Sequence, residues 1–239
     1  MYIYRLLTNF GNGISREGLL NVIAFIVALV FALVLHELAH GLVALWNGDG
    51  TAKAMGRLTL NPIKHFDAVG FLMMLLVGFG WAKPVPVNPN NFRHKRWGAL
   101  SVSVAGVLTN LILAFLFALP YVALIGRSVS SEAAYYAMYT LMYFCYFMVW
   151  LNICFALFNI LPLFPLDGYR LIASLGGENN KFMRFLRKYS LYIVLFLLVW
   201  DTICEAVPVL NAYSPFYWYI TWLGGKIQLC FTAFWGLIV

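Results

Sequence analysis

Charge is scarce in this chain. Only 10% of its 239 residues are Asp, Glu, Lys or Arg, against 63% hydrophobic, where a soluble domain carries about a quarter charged residues. An ordinary water-soluble fold is therefore excluded. Acidic residues are scarcer than basic ones, 9 Asp and Glu against 16 Lys and Arg. The basic excess falls in short loops between apolar runs, as in loops retained on the cytosolic side of a membrane, so nucleic-acid binding is not expected. The cysteines Cys145, Cys154, Cys204 and Cys230 form no C-x-x-C pair, and they read as reduced packing residues, not as a redox site or zinc finger. Short alternating segments are also lacking, which argues against a transmembrane β-barrel.

Long apolar runs are what the chain has. Leu19 to Trp46 gives 28 residues, about 42 Å as a straight helix, more than the roughly 30 Å hydrocarbon layer. Further spans are expected over Trp97 to Ile125, Tyr135 to Leu163, Tyr189 to Leu210 and Phe216 to Val239. Val69 to Trp81 has 13 residues, too short to cross, so a re-entrant element is expected there, with Gly78, Gly80, Pro84 and Pro86 turning the chain back. Before it, the alternation Arg57-Leu58-Thr59-Leu60 predicts a short strand, ended by a turn at Asn61-Pro62. The expected fold is an all-α polytopic membrane protein, one domain over residues 1–239. It has about five transmembrane helices and a re-entrant or β-strand element between the first and second. The core covers about 19–171, with C-terminal helices over 189–239. Tyr2 to Phe10 reads either as an interfacial segment or as an unstructured tail. No cleavable signal peptide is expected, because the first apolar run is too long and lacks a small-residue cleavage site.

Loop charges orient this topology. The loop from Ile125 to Tyr135 is nearly neutral, Asp167 to Lys188 is rich in Lys and Arg, and Asp201 to Ser214 carries only acidic charge. They are expected outside, inside and outside. Lys83, Arg93, Lys95 and Arg96 place the next loop inside as well. If Val69 to Trp81 turns back, Thr51 to Asp67 is also cytosolic; Arg5 and Arg16 weigh in the opposite sense.

Near the cytosolic end of the first span lies His36-Glu37-Leu38-Ala39-His40. Two imidazoles four residues apart project from one helix face and can reach a single metal ion, with Glu37 beside them able to take a proton from metal-bound water. Ionisable groups inside a membrane-length segment are costly and need a compensating role. His36 is ten residues before Trp46, hence about 15 Å below that end of the helix. A catalytic zinc site usually takes three protein ligands and leaves one position for water. His65 and His94 lie in polar loops, where a solvated histidine is the commoner case. Asp167, at the end of Asn159-Ile-Leu-Pro-Leu-Phe-Pro-Leu-Asp167-Gly168, is the better third candidate, since topology brings it to the depth of His36 and His40. Pro162 and Pro165 break the helix before it, and broken backbone is tolerated in a membrane only against protein or a cavity. The competing reading of Asp167-Gly168 is a plain helix-capping turn.

With these motifs in view, the chain from about Leu29 to Leu171 resembles the site-2 protease family of intramembrane zinc metalloproteases. The resemblance rests on HELAH, GDGTAKAMGRLTLNPIKHFDAVG, GWAKPVPVNPNNFR, AGVLTN and NILPLFPLDG, in that order. It implies one Zn2+ per chain held by His36, His40 and Asp167, with Glu37 as general base. It also implies a GWAKPVPV loop near the substrate, Asn159 lining the active site, and a compact form without PDZ or CBS modules. One departure is Val107, where the family usually has proline in Ala-Gly-Pro-x-x-Asn.

The expected reaction is hydrolysis of a peptide bond in a transmembrane protein substrate, within or beside the lipid bilayer and near the cytosolic side of a prokaryotic cell membrane. Asn159 or Asn110 is a candidate donor to the oxyanion, and Asn110 a candidate cavity-facing residue. Arg57, Leu58, Thr59 and Leu60 are candidates to hold an unwound substrate by strand addition. The alternatives are a metal transporter or sensor, which leaves Glu37 without a task, and an inactive homologue that binds membrane proteins.

Overall fold

The computed structural model describes residues 15–70, 82–176, 180–215 and 217–239. The expected interfacial segment Tyr2 to Phe10 and most of Val69 to Trp81 lie outside the described residues.

The described chain is mostly helical, and three helices are long and apolar enough to cross a membrane: α1 (Arg16–Trp46), α3 (Lys95–Leu124) and α4 (Glu132–Asn159). Serine side chains start two of them. Ser15 accepts from the Gly18 N–H at 3.0 Å and Ser131 from the Ala134 N–H at 3.2 Å, satisfying donors that a first helical turn leaves open. The three helices pack on one another, and Ala28, Ala32, Ala114 and Ala118 are fully buried between them. Such small side chains let backbones approach where lipid gives no hydrophobic drive for association. Leu19, Ile23 and Phe31 instead lie exposed on the outside of α1.

Direction follows from the contacts at the ends. Arg16 pairs with Glu132 at 2.8 Å, the Tyr135 hydroxyl donates to Glu17 at 2.9 Å, and Asn21 donates to Tyr139 at 2.9 Å, so α1 and α4 start side by side. At the far end of α1, Asn47 donates to Ser101 at 3.0 Å and its carbonyl accepts from the Arg93 N–H at 2.9 Å, so α3 runs back. The ends of α1 and α4 therefore share a side.

After α4 the chain is irregular from Ile160 to Leu166 and then forms α5 (Asp167–Gly176). The break is held by α6 (Lys181–Ala206): Ser190 accepts from the Phe164 N–H at 2.9 Å, and Leu163 and Tyr169 pack with Met183, Leu186 and Val194. The stretch expected as a last span is a π-helical segment, Tyr217–Trp222, leading into α7 (Leu223–Gly236), which packs on α3 and α4. At 14 residues α7 is about 21 Å long, short of a bilayer by itself.

The strand expected over Arg57 to Leu60 does not form, and no strand occurs among the described residues. After the short helix α2 (Thr51–Ala54), side chains take the backbone groups that a ladder would use. Thr59 Oγ1 accepts from the Asn61 N–H at 3.1 Å, Asn61 Oδ1 from the Ile63 N–H at 3.0 Å, and the Thr59 carbonyl lies 2.9 Å from His65 Nε2. The turn expected at Asn61-Pro62 is there, as the start of a short 3-10 helix over Pro62–Lys64.

Candidate metal centre

Two faces of α1 divide the work. His36 and His40 face α3 at Gly106, where a Cβ atom would meet His36 Cε1 and lie 2.5 Å from His40 Nε2. Glycine there gives both imidazoles room, and α3 continues as regular helix through the neighbouring Val107. One position on, Glu37 and Gly41 face the loops: a Cβ at Gly41 would lie 2.5 Å from the Leu58 side chain and 3.1 Å from that of Val85.

His40 Nδ1 lies 2.8 Å from the Val102 carbonyl, which can only accept, so that nitrogen carries the proton and Nε2 is left with a lone pair. This Nε2 lies 3.0 Å from Asp167 Oδ2 and 3.1 Å from His36 Nε2, and His36 Nε2 lies 3.3 Å from the same carboxylate oxygen. All three side chains are buried. Lone pairs this close repel, and a cation or a proton among them removes the repulsion. The edge of a tetrahedron around zinc, with ligands at about 2.0–2.1 Å, is about 3.3 Å, which fits the three separations. His36, His40 and Asp167 are therefore the residues that can hold the metal.

Asp167 reaches this point because the prolines end α4 early and the chain turns at once into α5. Gly168 makes the turn fit, since a Cβ there would run into the Ile160 and Leu161 carbonyls. Glu37 is half-buried, and its Oε2 accepts from the Val85 N–H at 2.8 Å. Val85 lies in the irregular stretch 82–88, and its side chain packs beside α1 at Gly41.

Other sequence candidates lie in varied settings. Asn110, one turn beyond Gly106 on α3, is fully buried, and neither its amide nitrogen nor its oxygen has a hydrogen-bond partner. Asn159 ends α4 and donates to the Phe155 carbonyl at 3.1 Å. Arg57 is buried and donates to the Lys83 and Pro84 carbonyls at 2.7 and 3.2 Å. Thr59 is half-buried and Leu60 exposed, while Leu58 covers Gly41. His65 is buried in the loops against the Thr59 carbonyl, and His94 is the residue before α3.

Sequence reasoning missed Asp49, which enters above only as a letter of the motif GDGTAKAMGRLTLNPIKHFDAVG. Its carboxylate is fully buried and takes hydrogen bonds from the Thr51 N–H (3.1 Å), Thr51 Oγ1 (2.5 Å), the Asn88 N–H (2.6 Å) and Asn91 Nδ2 (2.9 Å). Burial pushes its pKa up, but these donors outweigh that and hold it below the usual carboxylate value. The available signal was the spacing Asp49-x-Thr51, an Asx-type turn.

A model of peptidase family M50 matches residues 24–200. Among curated proteins, "Putative zinc metalloprotease YwhC" of Bacillus subtilis (strain 168) is 45% identical over 192 residues, 78% of this chain and 85% of that protein. "Putative zinc metalloprotease Rip2" of Mycolicibacterium smegmatis is 26% identical over 231 residues, 90% of this chain and 81% of that one. No solved structure matches. With the family model spanning most of the chain and its metal-type triad assembled in space, the chain belongs to peptidase family M50, the site-2 proteases.

Proposed function

We propose that this zinc metalloprotease is an intramembrane endopeptidase that cleaves transmembrane segments of membrane proteins near the cytosolic side of a prokaryotic cell membrane. The observation that carries the reading is the convergence of His36 Nε2, His40 Nε2 and Asp167 Oδ2 within 3.3 Å, one residue from a carboxylate held by a backbone N–H. Zinc held by His36, His40 and Asp167 would supply an acidified water and Lewis-acid polarisation of the scissile carbonyl. Glu37 takes the proton at a carboxylate oxygen and returns it to the leaving amine. His40, fixed through Nδ1 by the Val102 carbonyl, keeps its lone pair on the metal side. Asn159 is the proposed oxyanion donor, turning from the Phe155 carbonyl to reach it. Asn110 offers a buried unpartnered amide, the second such candidate. Substrate contact is assigned to the loop residues Leu58, Thr59 and Leu60, beside the stretch 82–88, while Arg57 is turned inward onto the Lys83 and Pro84 carbonyls. Water reaches the site from the cytosolic side, where the basic loops lie.

The test is Glu37→Gln in the purified, zinc-loaded protein acting on a transmembrane reporter. Metal content is expected to stay at one per chain while kcat falls by roughly 10²–10⁴-fold. Undiminished cleavage would remove Glu37 from the role of base, and cleavage absent from the wild-type protein as well would favour a metal-handling function.

A further inference from the structure

The general base of this site does not stand alone on its helix. The Val85 N–H that reaches Glu37 belongs to an irregular stretch with no strand partner among the described residues, and its position is fixed by side chains around it. Two buried charged residues do so, one at each end. Arg57, 7% exposed, donates to the Lys83 and Pro84 carbonyls immediately before Val85. Asp49, 0% exposed, accepts from the Asn88 N–H three residues after it. Asp49 is itself anchored just past the end of α1, where the Asp49 N–H donates to the Ala44 carbonyl at 2.9 Å. The Lys83 N–H adds a bond to the His65 carbonyl at 2.9 Å.

We infer that Asp49 and Arg57 are positioning residues for catalysis: together they clamp residues 83–88 so that the Val85 N–H holds the Glu37 carboxylate beside the metal ligands. Neither touches the metal triad. Their buried charges are compensated by fixed partners, Asp49 by N–H and O–H donors and Arg57 by backbone carbonyls, so each bond is costly to leave unmade. A clamp of this kind acts on turnover, because misplacing a proton-transfer group by about 1 Å can cost on the order of a hundredfold in rate.

The proposal rests on the protease reading, and its test has one arm that needs no cleavage. Asp49→Asn is the sharpest variant. Asn can keep an oxygen toward Thr51 and Asn91, but its amide nitrogen then faces the Asn88 N–H, donor against donor. In purified, zinc-loaded protein, kcat on a transmembrane reporter is expected to fall by about ten- to a hundredfold, with KM within about twofold and zinc unchanged. Hydrogen exchange at residues 83–88 is expected to rise while peptides from α1 stay protected. Arg57→Gln should do the same from the other end, and Arg57→Lys should recover part of both losses.

The clamp is overturned if exchange at 83–88 is unchanged in both variants. It is equally overturned if exchange rises and kcat does not fall, or if the loss appears in zinc content. Should Asp49→Asn fail to fold, Asn91→Ala removes one donor and leaves the charge paired. A smaller change of the same sign in exchange and kcat is then expected, and none would refute the idea. If the wild-type protein cleaves nothing, the protease reading fails, while the exchange arm still decides whether the clamp exists.

Discussion

The two ends of the α1, α3 and α4 bundle are built on opposite principles. Where α1 and α4 begin, Arg16 and Glu132 form an ion pair with side chains 76% and 72% exposed. At the other end, His36, His40, Asp49, Arg57 and Asp167 are all buried. An exposed pair contributes about 0–1 kcal/mol, whereas removing one partner of a buried charged group costs about 3–5 kcal/mol, because the other is left uncompensated. The end where α1 and α4 begin is cheap to alter. The metal end couples its charges, so that a change at one residue is felt by several.

The largest effect expected from breaking this contrast is at Asp167. Asp167→Ala removes one of three candidate ligands, and zinc content measured by atomic emission should fall well below one per chain, with cleavage lost by about 10³-fold or more. Full zinc occupancy would mean that the third ligand lies elsewhere. A step smaller, Gly106→Ala puts a methyl group into the space of His36 and His40. Zinc affinity, read by chelator competition, should weaken by about 10–100-fold while the helices stay formed.

Acid should separate the two ends more gently. The Asp49 carboxyl is held below its ordinary pKa, so what it contributes is complete above the unfolded value of about 3.9 and is lost as pH falls through the folded value. Hydrogen-exchange protection of residues 83–88 should therefore be level from about pH 8 to 5 and drop below about pH 4. Loss of protection between pH 8 and 6 would contradict the carboxylate's part in it. Smallest of all is the exposed Arg16–Glu132 pair. A double-mutant cycle on Arg16→Ala and Glu132→Ala should give a coupling under about 1 kcal/mol and leave turnover unchanged, and a larger coupling would erase the distinction drawn between the ends.

The same contrast explains what was legible in the sequence. Long apolar runs give α1, α3 and α4 directly, because burying twenty or so apolar residues in lipid overrides local preference. His36 and His40 are visible as a pair four residues apart, and Asp167 follows from loop charges that put the ends of the first and fourth helices on one side. The strand at Arg57 to Leu60 failed because four alternating residues are a weak signal. Side-chain hydrogen bonds from Thr59, Asn61 and His65 took their place. Asp49 stayed hidden because the partners that give it meaning, Asn88 and Asn91, are about forty residues away. No local pattern pairs a helix stop with a distant proline-rich loop.

That loop has one more consequence. Pro84 and Pro86 flank Val85, and neither has an N–H. Val85 is thus the lone donor in its tripeptide, and sliding the segment by one residue either way would present Glu37 with no hydrogen at all. The two prolines make the loop's alignment with α1 an all-or-none choice, so a misthreaded loop cannot imitate the correct one.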